Sequence, residues 1–252
     1  MARCQPMFEK VRLNDYIQKK RDLRAIDATT QGRRLCTKCR QAYAVCDCAS
    51  FIPFSTETDF VILMHPEESR RKIATGRMTH LLMKNSSLLI GESFASELDP
   101  YLNDATRHCV VLYPGSDAFS ISESEALDRK NESAGDVAWR NPDHRLTVFV
   151  LDGTWRTAKK MLRLTPRLHT VSKISFSLNR KSTFRIRKQP ADYCFSTLEA
   201  IHHVLACVEP QTLERDRLIE AFDTMVERQI KFAHDRKTRD QADRDRNVTG
   251  SL

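Results

Sequence analysis

The residues able to do chemistry fall into two groups. The first is Cys36, Cys39, Cys46 and Cys48, spaced C-x2-C-x6-C-x-C. Four thiolates this close in sequence suit a tetrahedral Zn2+ ion, whose structural sites are closed by four cysteine or histidine ligands. A full set of thiolates leaves no open coordination position, so the metal is expected to be structural. The alternatives are unligated or redox thiols; disulfides are disfavoured because the chain shows no secretory signal. Arg33, Arg34, Lys38 and Arg40 surround the knuckle, which would let it touch nucleic acid. Cys4, Cys109, Cys194 and Cys207 are scattered, and the last three read as core residues.

The second group is Asp152, Thr154 and Trp155. A carboxylate in a pocket can take a proton or steady a cation, and an indole can pack or stack on a base. These residues follow Leu146, Val148, Phe149, Val150 and Leu151, an apolar run that reads as a strand buried on both faces. Gly153 permits a tight turn, and Thr154 is placed to cap a helix. Along that helix Trp155, Ala158, Met161 and Leu162 fall on one side, with packing the favoured reading for Trp155. Arg156, Lys159, Lys160 and Arg163 fall on the other.

The neighbouring elements alternate in the same way. Asp59–Met64, Ser87–Gly91, Cys109–Tyr113 and Val171–Leu178 read as strands. Met78–Lys84, 95–105, Ala191–Cys207 and Thr212–Ala233 read as helices, with Pro100 a candidate break. Residues 117–144 have no clear period and read as loop or short helices. Apolar strands alternating with helices predict an α/β fold with a mostly parallel sheet. In such sheets ligands bind at the carboxyl edge of the strands. There the loops His65-Pro66-Glu67-Glu68, Tyr113-Pro114-Gly115 and Asp152-Gly153-Thr154-Trp155 would converge. Two further groups would join them: Phe184, Arg185, Arg187 and Lys188, and Cys194, Ser196, Thr197 and Glu199. Each alone has a purely structural reading, Asp152 as a helix cap and His65 as a turn residue; their convergence favours a site.

Charge points to the partner. The net charge is +8, and Gly153–Ala191 holds eleven Lys or Arg with no Asp or Glu. Ordinary surfaces mix both signs, so an acid-free stretch of this length reads as the footprint of a polyanion. No run is long and apolar enough for a membrane helix, and a cytoplasmic protein is the expectation. There is no G-x-x-x-x-G-K-[ST] loop, no G-x-G-x-x-G fingerprint and no G-x-S-x-G elbow. Four segments are expected: a basic N-terminal arm (1–31), the zinc knuckle (32–54), the α/β domain (55–234) and a charged tail (235–252) that is disordered or a frayed helix.

Asp152, Thr154 and Trp155, in the stretch LDGTW, resemble the D-x-T-W signature of the DTW-domain family, the tRNA-uridine aminocarboxypropyltransferases. The likeness extends to the cysteine knuckle, to His65-Pro-x-Glu68 with Thr75-Gly76-Arg77, to Tyr113-Pro114, and to Arg185 with Ser196-Thr197-x-Glu199. It spans roughly residues 33 to 207. The resemblance implies a fold similar to the knotted SPOUT methyltransferases, S-adenosylmethionine as donor and tRNA as acceptor. It implies transfer of the 3-amino-3-carboxypropyl group to N3 of a uridine, releasing methylthioadenosine. Leu112, Tyr113, Pro114, Gly115 and Leu151 would bind the donor, with Arg185, Ser196, Thr197 and Glu199. Arg156, Lys159, Lys160, Arg163, Arg187 and Lys188 would hold RNA phosphates. Asp152 is the candidate base, or the charge that stabilises the sulfonium. The alternatives are an RNA methyltransferase using the same donor, and a non-catalytic RNA-binding protein with a zinc knuckle.

Overall fold

A computed structural model describes residues 35–71, 73–121, 141, 143–176, 182 and 195–249. The arm at 1–31 and the residues Phe184, Arg185, Arg187, Lys188 and Cys194 lie outside them. So does the end of the strand read at 171–178.

β1 (Asp59–Met64) forms a parallel sheet with β2 (Ser86–Ile90), β3 (Arg107–Leu112), β4 (Ala118–Ser120), β5 (Arg145–Asp152) and β6 (Ser172–Ser175). The strand order is β2-β1-β5-β3-β6-β4, and all pairings are parallel. The α/β reading therefore holds. The strand β4 was missed: Ala118–Ser120 falls in the segment read as loop or short helices. Three residues at a sheet edge are too few to show a period in sequence.

Six α-helices are seen among the described residues: α1 (Pro66–Ser69), α2 (Thr75–Leu82), α3 (Asp99–Leu102), α4 (Trp155–Leu164), α5 (Thr197–Val208) and α6 (Asp216–Thr249). The helix expected over 95–105 shrinks to α3, which Pro100 helps to open rather than break. α6 runs on through the charged segment after residue 235 as far as Thr249. The described residues break between Phe176 and Phe195 apart from Ser182, and do not trace the knot that the resemblance implies.

The two faces of the sheet are covered by different helices. Phe60, Ile62, Val110, Val148, Val150 and Ile174 pack against Met78 and Leu82 of α2, Leu198 and Ile201 of α5, and Leu218 and Phe222 of α6. Val61, Leu63, Val111 and Phe149 pack against Met161 and Leu162 of α4 and against Phe94, Leu98 and Leu168. Cys109 and Cys207 are half-buried at the margins of these clusters. The alternation along β5 is the ordinary two-residue period of a strand. Its parity decides where the residues at the strand's end point.

The knuckle docks on α6. Arg228 Nη2 lies 2.7 Å from Asp47 Oδ1, and Gln229 Nε2 donates to Gln41 Oε1 at 3.2 Å. Val45 is buried beneath it.

Candidate active site

Strand register brings the C-terminal loops level. Met64 pairs with Asp152 and with Ile90. The His65 N–H donates to Asp152 O at 2.9 Å, and Gly91 N–H to Met64 O at 3.0 Å. His65, Tyr113 and Gly153, from three of the loops expected to converge, consequently stand at one edge with Glu92 beside them.

Asp152 has the same parity as Val148 and Val150, so its side chain faces α2 and α5. It is only 4% exposed. Thr197 Oγ1 donates to Asp152 Oδ1 at 2.6 Å. On the other side the carboxylate lies against the backbone of Gly76, where a Cβ would come within 2.3 Å of Oδ2. Gly76 and Thr197 both sit in the first turns of their helices. The carboxylate thus occupies the junction of two helix N-termini, whose unpaired N–H groups favour negative charge.

Arg77, next along α2, is buried at 7% exposure. Its Nη2 donates to Ser69 O at 3.1 Å. Burial pushes its guanidinium below the usual range, the nearby charge of Arg40 adds to this, and Asp152 opposes it. The guanidinium therefore lies within the electrostatic reach of both the knuckle and the strand-end carboxylate.

Ser196 and Glu199 serve α5 itself. The Glu199 N–H donates to Ser196 Oγ and the Ser196 N–H to Glu199 Oε2, a reciprocal capping box. Ser182 Oγ donates to both oxygens of Glu199 at 2.8 and 3.0 Å. Their S-x-x-E spacing is a capping signature, and these two residues, expected among the donor ligands, hold the start of the helix. Thr197, expected in the same role, contacts Asp152.

A cavity of about 580 Å³ opens on the opposite face of the same edge. His65, Glu92 and Tyr113 form one wall, and Arg156, Lys159, Lys160 and Arg163 of α4 form the other. Arg156, Lys159 and Arg163 are exposed, while Thr157, Ala158, Met161 and Leu162 are buried. α4 has no acidic residue in its first turn and places Arg156 there, against the preference of the helix dipole. Lys160 is partly committed, with Nζ 2.6 Å from Glu92 Oε2.

Residues 33–230 match the sequence profile of the DTW domain. The chain belongs to the DTW-domain family. It is 28% identical over 219 residues to a Drosophila melanogaster protein named tRNA-uridine aminocarboxypropyltransferase 2, covering 83% of this chain and 80% of that one. It is 29% identical to tRNA-uridine aminocarboxypropyltransferase A of Arabidopsis thaliana, covering 82% of this chain and 85% of that one. A Macaca fascicularis tRNA-uridine aminocarboxypropyltransferase 2 is 25% identical, covering 77% of this chain and 63% of that one. No solved structure matches.

In this DTW domain the three signature residues have separate placements. Asp152 is buried toward α2 and α5. Thr154 caps α4 as expected, its side chain accepting from the Thr157 N–H at 3.3 Å. Trp155 corrects the packing expectation: it is 52% exposed, with its ring edge-on to Tyr113 at 6.4 Å between centroids. As the first residue of α4 it lies beyond the strand end, where the sheet no longer covers that side of the helix. Leu112, Tyr113 and Leu151 are half-buried, while Pro114 and Gly115 are exposed at the edge.

The cysteines meet as predicted. The Sγ atoms of Cys36, Cys39, Cys46 and Cys48 lie within 4.8 Å of one another, with three pairs at 3.4–3.5 Å. A tetrahedral zinc with Zn–S bonds of about 2.3 Å has S···S edges of about 3.8 Å, so the set fits. Arg40 adopts a left-handed φ of 62°, which lets the Cys36 N–H reach Gln41 O at 2.8 Å and closes the knuckle. The backbone at Cys39 stabilises the Cys36 thiolate and lowers its pKa to about 6, whereas burial raises Cys48 to about 11. Burial also raises Cys39.

Glu92 and its contacts are the part of the site that the sequence reading missed. A lone glutamate two residues past a short strand carries no spacing signal.

Proposed function

We propose that this chain transfers the 3-amino-3-carboxypropyl group of S-adenosylmethionine to N3 of a uridine in tRNA. The new N3–C bond forms as the C–S bond breaks. Sulfur leaves with the electron pair as methylthioadenosine, and the N3 proton is released. The observation that carries the reading is a level sheet edge with a buried carboxylate on one face and a basic cavity on the other. The names of the relatives support the choice of reaction.

The cavity face suits RNA, since Arg156, Lys159 and Arg163 present charge to phosphates. The other face suits the donor. Asp152, held by Thr197 and walled by Gly76, is placed to balance the positive sulfonium. Its burial favours this electrostatic role over proton removal. Leu112, Tyr113 and Leu151 offer backbone and apolar surface for the adenosyl group. Which of the three sulfonium carbons reacts is then a matter of alignment. The knuckle holds zinc as a structural ion, and the protein acts in the cytoplasm.

The by-product tests the reading. Incubation with tRNA and S-adenosylmethionine is expected to yield methylthioadenosine in step with uridine modification. S-adenosylhomocysteine would instead mean methyl transfer, and neither product would mean a binding protein.

A further inference from the structure

We propose that Arg77 takes the carboxylate of the donor's aminocarboxypropyl group through its Nη1. The inference rests on the function proposed above. It adds a second anchor, beside Asp152, for the part of S-adenosylmethionine that is transferred.

Arg77 is 7% exposed. Its Nη2 donates to Ser69 O at 3.1 Å, while Nη1 is buried with no hydrogen-bond partner among the described residues. A carbonyl asks for one N–H, which a neutral side chain could supply, and it leaves the guanidinium charge unanswered. A buried charge of this kind is costly until an anion meets it. The acids nearby are engaged with other groups. Glu68, the residue before Ser69, pairs with Arg71 at 2.8 Å. Asp152 acts on Arg77 by its charge and accepts its hydrogen bond from Thr197. Arg77 also lies in the first turn of α2, which has no side-chain cap from Ala74 and no acidic residue in that turn. The unpaired N–H groups of such a helix start favour an anion at the same place.

The amino-acid end of S-adenosylmethionine is positive at sulfur and at the amino group and negative at the carboxylate. Asp152 and Arg77 offer the opposite signs from neighbouring points, because Asp152 Oδ2 lies against Gly76, the residue before Arg77. Asp152 then balances the sulfonium and Arg77 Nη1 holds the carboxylate. That carboxylate departs with the transferred group and not with methylthioadenosine. Holding it fixes the chain that ends in the reacting carbon, a constraint that the uncharged methyl group does not feel. The C–S bond to be broken is aligned from both ends.

The test is calorimetric titration of the full chain with S-adenosylmethionine, decarboxylated S-adenosylmethionine and methylthioadenosine. The parent is expected to bind the first about 10 to 100 times more tightly than the second, the span of one charge-assisted hydrogen bond. Arg77→Met is expected to bring these two within about twofold. Methylthioadenosine, which has no carboxylate, should bind the parent and Arg77→Met alike. Arg77→Lys, which keeps the charge without the planar fork, should show a preference between the two. Equal affinities in the parent would overturn the assignment, and that measurement needs no variant to fold. A preference kept in full by Arg77→Met would overturn it too. So would an equal weakening of all three ligands in that variant, folded by circular dichroism, since a merely structural role predicts it. The proposed reaction fails separately: a carboxylate preference in a chain that releases S-adenosylhomocysteine, or no product, removes the reaction and leaves the anchor.

Discussion

A Cβ added to Gly76 would lie 2.3 Å from Asp152 Oδ2 and 2.9 Å from its Cγ. The N-terminal turn of α2 and the end of β5 are therefore locked at a distance that only glycine allows. The obstructing atoms belong to a buried carboxylate already held by Thr197, so they have little room to yield.

Gly76→Ala is accordingly expected to destabilise the fold by about 1–3 kcal/mol, the usual cost of overpacking. Transfer should fall further than stability, because Asp152 must move. Denaturant unfolding and a transfer assay on the same sample check both. An alanine variant with unchanged midpoint and rate would mean that α2 slides freely.

Thr197→Val removes the hydroxyl that donates to Asp152 and keeps the side chain's shape. Leaving the buried carboxylate short of that donor should cost about 1–3 kcal/mol. tRNA affinity should stay as it is, because the basic cavity lies on the other face of the sheet. Unfolding curves and filter binding separate the two effects. A parallel loss of tRNA affinity would contradict the division of the site into two faces.

The knuckle should bind one zinc ion per chain. Cys39→Ser, or a strong chelator, is expected to remove it and to loosen the docking of the knuckle on α6, where Arg228 meets Asp47. Elemental analysis and proteolysis near residue 40 report the two losses. Full zinc occupancy in the serine variant would refute the ligand set.

Arg156→Ala, Lys159→Ala and Arg163→Ala should each weaken tRNA binding. Each should also lower the slope of log affinity against log salt by about 1. Equilibrium binding at several salt concentrations measures it. Unchanged slopes in all three would remove α4 from the RNA interface.

Much of this site was legible in the sequence, for identifiable reasons. The apolar run ending at Asp152, the capping position of Thr154 and the basic stripe of α4 each follow from a period or a preference that residues carry locally. The cysteine spacing likewise anticipated the cluster. The face toward which Asp152 points was also encoded, through its parity with Val148 and Val150. Reading it required knowing which helices cover which face, and that is a tertiary fact. Trp155 was placed wrongly because helical periodicity says which residues share a side, not how far the sheet extends to cover them. Glu92 and Lys160 are far apart in sequence and meet only through the register of the parallel strands, so no local pattern pairs them. The capping box at Ser196 and Glu199 was visible as S-x-x-E in the sequence.

The central claim is that this chain moves the aminocarboxypropyl group, not the methyl group, onto uridine. Parallel reactions with S-adenosylmethionine labelled in its carboxyl carbon or in its methyl carbon test it most directly, followed by digestion of the tRNA to nucleosides. The account predicts carboxyl label in a uridine derivative, no methyl label in RNA, and loss of that signal in Asp152→Ala with tRNA affinity retained. Methyl label in RNA, or no label from either donor, would contradict it.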